Sequence, residues 1–423
     1  MYRHDFIVKI IIILVFLMIP GLCLAEEPVQ KTYSLDDCLK LAYQNSEDLK
    51  TAALNVSKAR YSVKQVEAGF GPTLTYNVAA DDISGDIGYT GKISLIQTVY
   101  TWGKLSMNLE LAQYKLKNAL EDERQAKQDL TNNVKNAFYQ LWLVNQKLKV
   151  VQASYQNMEK HFRNTEQRYQ VGTISKFDYL QAEVQWKKLK PNLITAQNNA
   201  SLSRMNLAVL IGIQLDRLFA IEENSLLKIA PQKIDLTVES ALNSASKDRP
   251  EMRQMTNNIE IAKLQTKITE TAYYSTLALS GNYANNKSES SSFEHTWALT
   301  LNLSGILFDN FSTQAKVASA KEDEQILLSN EIGLRNQIRL QLNESFQNLA
   351  QSFENIEANK ANIGLFEEAF RLTQIKLEEG LATTTDLMDA QLDWDEALNG
   401  YYEGICDYLK SVSNLELIMG KTL

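Results

Sequence analysis

Asp386 and Asp389 are three residues apart, a spacing that sets two carboxylates on one face of a helix. Such a pair can hold a cation, or it can be a solvated acidic helix start favoured by the helix dipole. Asp178 occupies the matching place in an earlier segment of the same pattern, but Gln181 replaces the second carboxylate there. Asp393 and Asp395 extend the acidity along the helix and read as a solvated face. Beyond the first 25 residues only two histidines remain, His161 on a long helical segment and His295 at a strand start. No zinc-ligand spacing, phosphate loop or nucleophile elbow accompanies them. The chain therefore reads as a non-enzyme, without cofactor and without a metal centre. Cys38 and Cys406 fall in well-separated helical segments and read as two free, partly buried thiols.

The elements that must position these residues begin after a leader. Arg3 and Lys9 precede an apolar run from Ile10 to Ile19, Pro20 and Gly21 break it, and Cys23 and Ala25 are small residues at −3 and −1 of a cleavage point. This pattern predicts a signal peptide over residues 1–25. The run is about half the ~20 residues a spanning helix needs. A lipid anchor on Cys23 is the weaker alternative, because Leu22 is bulkier than the small residue such processing takes just before its cysteine. Charged residues make up 22% of the chain and the mean hydropathy is −0.27, which excludes a polytopic helical membrane protein. Without Arg3, Lys9 and Asp5 the formal net charge goes from −8 to about −9, which argues against a nucleic-acid partner.

The chain is duplicated. Arg168, Gly172, Asp178 and Ala182 lie over Lys376, Gly380, Asp386 and Ala390 at an offset of 208, which Gly212 and Gly420 keep. Upstream the offset is 203, with Leu39 over Leu242 and Thr73-Leu74 over Thr276-Leu277, so the second copy holds five extra residues. Each half reads as helix, two strands, long helix, turn, helix. Val134, Leu141, Leu148, Tyr155, Phe162 and Tyr169 recur every seven residues, and Ala137, Val144, Val151 and Met158 follow three positions later. The same heptad returns as Leu342, Leu349, Ile356, Ile363, Phe370 and Leu377. This is the seam of a left-handed coiled coil, and a helix of roughly 68 residues is about 100 Å long.

Four segments alternate with period two. Leu74, Tyr76 and Val78 alternate with Thr73, Thr75 and Asn77; Trp297, Leu299, Leu301 and Leu303 alternate with Thr296, Ala298, Thr300 and Asn302. The apolar faces, at Tyr89, Ile93, Leu95, Leu277, Leu279 and Tyr283 in the other two, suit membrane lipid. Four strands cannot close a barrel and open edges are not tolerated in hydrocarbon, so oligomerisation follows. The polar linkers Ala80–Gly88 and Asn285–Glu294 read as external loops, the second holding the five-residue insertion.

Order and spacing together resemble the TolC-like outer-membrane efflux family over residues 33–420. The resemblance rests on the duplicated layout and on three patterns: the Gly172 and Gly380 turns, the corner Gln97, Tyr100, Trp102, Gly103 echoed by Ile306, Phe308 and Asp309, and Gly71-Pro72 before the first strand. Phe311 stands where the second corner usually has Gly, and Ser275 where Pro is frequent. The resemblance implies a mainly α fold with a small membrane β-barrel contribution. A homotrimer would form one twelve-stranded barrel continued by a coiled-coil α-barrel. It implies an outer-membrane channel subunit of a tripartite efflux or type I secretion system, reaching into the periplasm. Its partners would be a periplasmic adaptor and an inner-membrane transporter. It places the adaptor at Val171, Gly172, Thr173, Gly380 and Leu381, and a periplasmic gate at Asp386, Asp389 and Asp178. The expected layout is a first repeat over 26–211 (strands about 73–98, helical hairpin 103–211) and an equatorial linker over 212–236. The second repeat covers 237–423 (strands about 276–305, hairpin 312–420). A structural or adhesin-like coiled-coil surface protein is the alternative, but such a stalk does not need the four strands.

Overall fold

The computed structural model describes residues 31–421 apart from 84–85, 216–218, 224–225, 227–230, 232–235, 289–291 and 293. The leader lies outside the described residues. A short strand, β1 (Lys31–Tyr33), leads into α1 (Leu35–Asn45) and α2 (Glu47–Ala68). Two strands follow, β2 (Thr73–Ile83) and β3 (Asp86–Tyr100), then the hairpin of α3 (Lys104–Gln170) and α4 (Lys176–Ile211). After β4 (Phe219–Ile221) the order repeats with α5 (Val238–Asp248), α6 (Pro250–Glu270), β5 (Thr276–Ser288) and β6 (Glu294–Ser304). The second hairpin is α7 (Ser312–Glu378) and α8 (Thr384–Met419). The fold is mainly helical, as expected.

The outer helix of each repeat is divided where one continuous helix was expected. Ser46 is extended (φ −66°, ψ 119°) and its hydroxyl caps α2; Arg249 (φ −70°, ψ 129°), at the 203 offset, precedes Pro250 at the start of α6. Pro at the first helical position lacks only an amide that would be unpaired anyway.

Side by side, the helices make a wall four deep. Toward the strands the order is α2–α3–α6–α7, and toward the far tips it is α4–α3–α8–α7. The two long helices therefore run the full height. One of them, α7, forms an edge, and α2 with α4 forms the other. Among the described residues no helix is long and apolar enough to cross a membrane.

The strands pair antiparallel in the order β2-β3-β5-β6. Register sets Leu74 opposite Leu95, Ile93 opposite Tyr283, and Tyr283 opposite Trp297, which gathers the alternating apolar positions on one face. Thr75 pairs with Ser94 and Ser280 with Thr300 on the other face, which is small and polar. Strand extends into both linkers expected as loops: β2 runs to Ile83 and β3 begins at Asp86, and β5 runs to Ser288. Cross-strand hydrogen bonding overrides the low strand preference of Asp, Asn and Ser there. Of the five inserted residues, two lengthen β5 (13 residues against 11 in β2) and the rest fall between Ser288 and Glu294.

Both strand-to-helix corners use two successive left-handed residues, Trp102 (φ 53°) with Gly103 (φ 79°) and Asn310 (φ 52°) with Phe311 (φ 65°). Phe311 takes the conformation of the glycine it replaces, at a cost of about 1–2 kcal/mol. Trp102 stacks on Tyr274 (4.9 Å between centroids) and donates through Nε1 to the Ser275 carbonyl (2.8 Å). The aromatic cluster joins the two repeats at the base of the sheet.

Apolar burial concentrates at mid-height. The N-terminal strand β1 pairs parallel with β4 of the inter-repeat segment, Lys31 opposite Phe219 and Tyr33 opposite Ile221. This two-stranded sheet, α1 and α5 form a collar on one face of the wall. Trp142, Phe138, Leu141, Leu207, Ile211 and Leu415 are buried beneath it. Each fully buried side chain of this kind contributes about 1.5–3 kcal/mol. Cys38 and Cys406 are free and fully buried, and burial pushes their thiols up to about 12 and about 11. Neither is a reactive thiolate at neutral pH.

Candidate functional site

The two hairpin tips are built alike. In the first, the Gly172 amide bonds to the Tyr169 carbonyl (3.0 Å) and the Thr173 amide to the Arg168 carbonyl (2.9 Å). In the second, Gly380 bonds to Leu377 (3.1 Å) and Leu381 to Lys376 (2.8 Å). This paired closure needs a left-handed residue, and Gly172 (φ 76°) and Gly380 (φ 75°) supply it. Val171 and Leu381 stand out at the apices, 73% and 74% exposed. Ser175 and Thr383 then cap α4 and α8, accepting from the amides of Asp178 (3.2 Å) and Asp386 (3.1 Å).

Asp386 completes that cap in return. Its Oδ2 accepts from the Thr383 amide (2.7 Å) and hydroxyl (2.8 Å), which holds its carboxyl below the usual carboxylate range. Asp389 lies exposed one turn further on the same face. Asp393 and Glu396 continue that face at spacings of four and three and are also exposed. The acidic stripe is thus longer than the pair singled out from sequence; the 3–4 spacing was the signal that could have found it. Asp178 accepts from the Ser175 hydroxyl (2.7 Å), and Gln181 donates to the Thr385 hydroxyl (2.9 Å), tying the start of α4 to the start of α8.

Asp395 corrects the expectation of a solvated face. Its side chain turns the other way, into the contact between α3 and α8. Ser154 Oγ and Gln391 Nε2 (2.8 Å) donate to it, Asn157 Nδ2 donates to Gln391 Oε1 (3.1 Å), and His161 meets Thr384 (3.4 Å). Burial raises the Asp395 carboxyl above its ordinary value, against those two hydrogen bonds. Burial also lowers His161, with Arg168 adding to the effect. The folded chain therefore keeps a proton on Asp395 where the unfolded chain has lost it. Stability from this contact rises as pH falls through the raised pKa toward the ordinary carboxylate range, then levels off. Asp395→Asn should remove that slope. Ser154 also donates to the Val150 carbonyl (3.1 Å), so its oxygen can accept from an asparagine amide instead. Urea titrations at about pH 7 and about pH 4, the ordinary carboxylate value, should show a smaller difference for the variant than for the wild type. An unchanged difference would assign the slope to other groups.

Along each hairpin, repeat-equivalent rings stack: Phe162 on Trp186 (5.0 Å) and Phe370 on Trp394 (5.5 Å). Tyr155, Tyr179 and Tyr169 extend the first stack. Charge divides the tips. Residues 155–190 hold seven Lys and Arg against four Asp and Glu, and the equivalent 363–398 hold two against nine.

The outer membrane efflux protein family profile matches residues 38–213 and 241–421, one match to each repeat. No curated protein sequence matches the chain. Among solved structures, the fold is similar to the VceC outer membrane protein of Vibrio cholerae (TM-score 0.76, 18% identity, 92% of this chain and 96% of that one). It is similar to the CmeC outer membrane channel of Campylobacter jejuni (TM-score 0.76, 15% identity, 91% and 85%). The open MtrE outer membrane channel of Neisseria gonorrhoeae gives TM-score 0.75 at 17% identity over 92% and 89%. With both repeats matched and the barrel-and-helix architecture shared, the chain belongs to the outer membrane efflux protein family, in the outer membrane and extending into the periplasm.

Proposed function

We propose that three copies of this chain close head to tail into one conduit, the exit duct of a tripartite efflux or type I secretion system. The observation that carries this is that every layer of the chain ends in two complementary open edges. β2 and β6 end the sheet, and α2 with α4 faces away from α7 across the wall. α4 exposes Phe177, Leu180, Val184, Ile194, Leu202 and Val209, the face opposite its seam with α3. α7 exposes Leu340, Leu365, Leu372 and Ile375. Such heterologous edges satisfy one another in a ring, and the family resemblance sets the number at three. The two repeats, over 26–211 and 237–423 with 212–236 between, then alternate around the axis.

In this reading a periplasmic adaptor docks on Val171, Gly172, Thr173, Gly380 and Leu381 and brings an inner-membrane transporter beneath the mouth. Asp386 and Asp389, with Asp178 beside them, line a constriction whose repeated carboxylates attract cations.

Duplication makes the ring testable. Within the chain Ser413 Oγ donates to Asn132 Oδ1 (2.8 Å) between α8 and α3. Shifting each by 208 places Leu340 against Met205 of the next copy, and both are exposed in the single chain, 59% and 42%. Leu340→Cys with Met205→Cys is expected to give covalent oligomers up to the trimer on oxidation in detergent, and neither single variant should. Only monomer in the double variant, from protein of normal helicity, would sink the ring.

A further inference from the structure

Beside the collar lies a cavity of about 300 Å³ that the conduit reading leaves unused. It opens on the collar face, between α1, α3 and the end of α8. Four cations line it, Arg124, Lys127, Lys135 and Lys421, against one carboxylate, Glu416, in a chain of net charge −8. Two are committed: Lys135 pairs with Glu416 (2.5 Å), and Arg124 pairs with Glu121 (3.0 Å) and donates to the Asp248 carbonyl. The other two have no carboxylate partner among the described residues. Lys127 lies 5.1 Å from the Tyr43 ring centroid, and Lys421 donates to Ser244 (3.1 Å). The Tyr43 and Thr131 hydroxyls meet at 2.6 Å at the rim. Lysine stems and Leu417 give aliphatic walls.

The repeat carries the feature further. An offset of 208 takes Lys127 to Arg335 and Thr131 to Arg339, both exposed on α7 and without a carboxylate partner among the described residues. Cations thus recur at collar height in the second half. A collar inside a closed ring would obstruct the bore, so the collar face is the outer face. That step rests on the conduit reading. The cations then face the periplasm, about 33 Å below the sheet by the 22 residues of α2.

We infer that this cavity binds a carboxylate of the stem peptides of the cell-wall polymer, anchoring the tube where it crosses the wall. Two ammonium groups without a carboxylate partner among the described residues suit a carboxylate, and the aliphatic walls suit the methyl side chain of a terminal alanine. Repetition around the collar suits a polymer, because several weak contacts along one chain reinforce one another.

The test measures binding of the purified detergent-solubilised protein to a muropeptide with free carboxylates and to the same muropeptide with its carboxylates amidated. Co-sedimentation with purified sacculi is the polymer arm. The free form should bind and the amidated form should not. Lys127→Gln with Lys421→Gln should weaken binding about tenfold. Lys187→Gln with Lys188→Gln, exposed lysines far down α4, should leave it unchanged. Equal binding of both muropeptides, no loss in the cavity variant, or no binding at all would overturn the proposal. Displacement by inorganic phosphate at equal concentration would also overturn it, by assigning the cavity to small anions. The oxidation experiment reads the ring separately, so failure of one does not imitate failure of the other.

Discussion

Gly420→Val is expected to leave no assembled channel. Gly420 ends α8 in the left-handed conformation (φ 73°). A Cβ there would lie 2.7 Å from the Asp248 carbonyl oxygen and 2.9 Å from the Arg249 Cα, both backbone at the α5–α6 break. The break cannot retreat, because Arg124 also holds the Asp248 carbonyl and Gln128 holds that of Gly420 (2.9 Å). A β-branched residue in this conformation costs about 1–2 kcal/mol, and forcing atoms into a packed site about 1–3 more. Against a typical stability of about 5–15 kcal/mol that is severe. Gly380→Val and Gly172→Val make the contrast, since nothing lies within 4 Å of either added Cβ. They should lose only the backbone term, assemble normally and, if the tips are the docking sites, bind the adaptor poorly. The oligomer band on semi-native gels and helicity in detergent measure the first effect; adaptor pull-down measures the second. Normal assembly of Gly420→Val would mean that the junction yields more than its contacts allow.

Asp386→Ala with Asp389→Ala should raise the concentration of divalent or trivalent cation needed to block the pore from the periplasmic side by about tenfold or more. Both carboxylates are exposed on one face of α8, and three copies would bring six around an axis. Block in the wild type should weaken as pH falls and the carboxylates protonate. The Thr383 cap favours the ionised form of Asp386 and holds its carboxyl below the usual carboxylate range. Removing Asp386 also removes that cap, so Asp389→Asn alone, which leaves it intact, separates charge from helix fraying. Asp393→Asn should add a smaller effect from its place further along the stripe. Asp395 is not a neutral control, being bonded into the α3–α8 contact; exposed Glu322 and Asp323, near the far end of α7, are. Single-channel recording decides. Undiminished block in the Asp386/Asp389 double variant would place the constriction elsewhere.

Features that repeat locally can be read from the residues alone. The heptads from Val134 to Tyr169 and from Leu342 to Leu377, the alternation around Tyr76 and Trp297, and the turns at Gly172 and Gly380 each depend on residues within a few positions of one another. Period and turn chemistry are enough to read them. The offset of 208 added the pairing of the two halves. Other features waited for the tertiary structure because they depend on residues far apart in the chain. Lys31–Tyr33 is too short to read as a strand until Phe219–Ile221 lies beside it. Ala80 to Gly88 reads as loop until β2 and β3 are zipped through it. Asp393 and Asp395 are the same residue type two positions apart. On a helix that separation is about 200°, so one faces solvent and the other faces α3. Only the position of α3 decides which of the two carboxylates is half-buried in a packed contact.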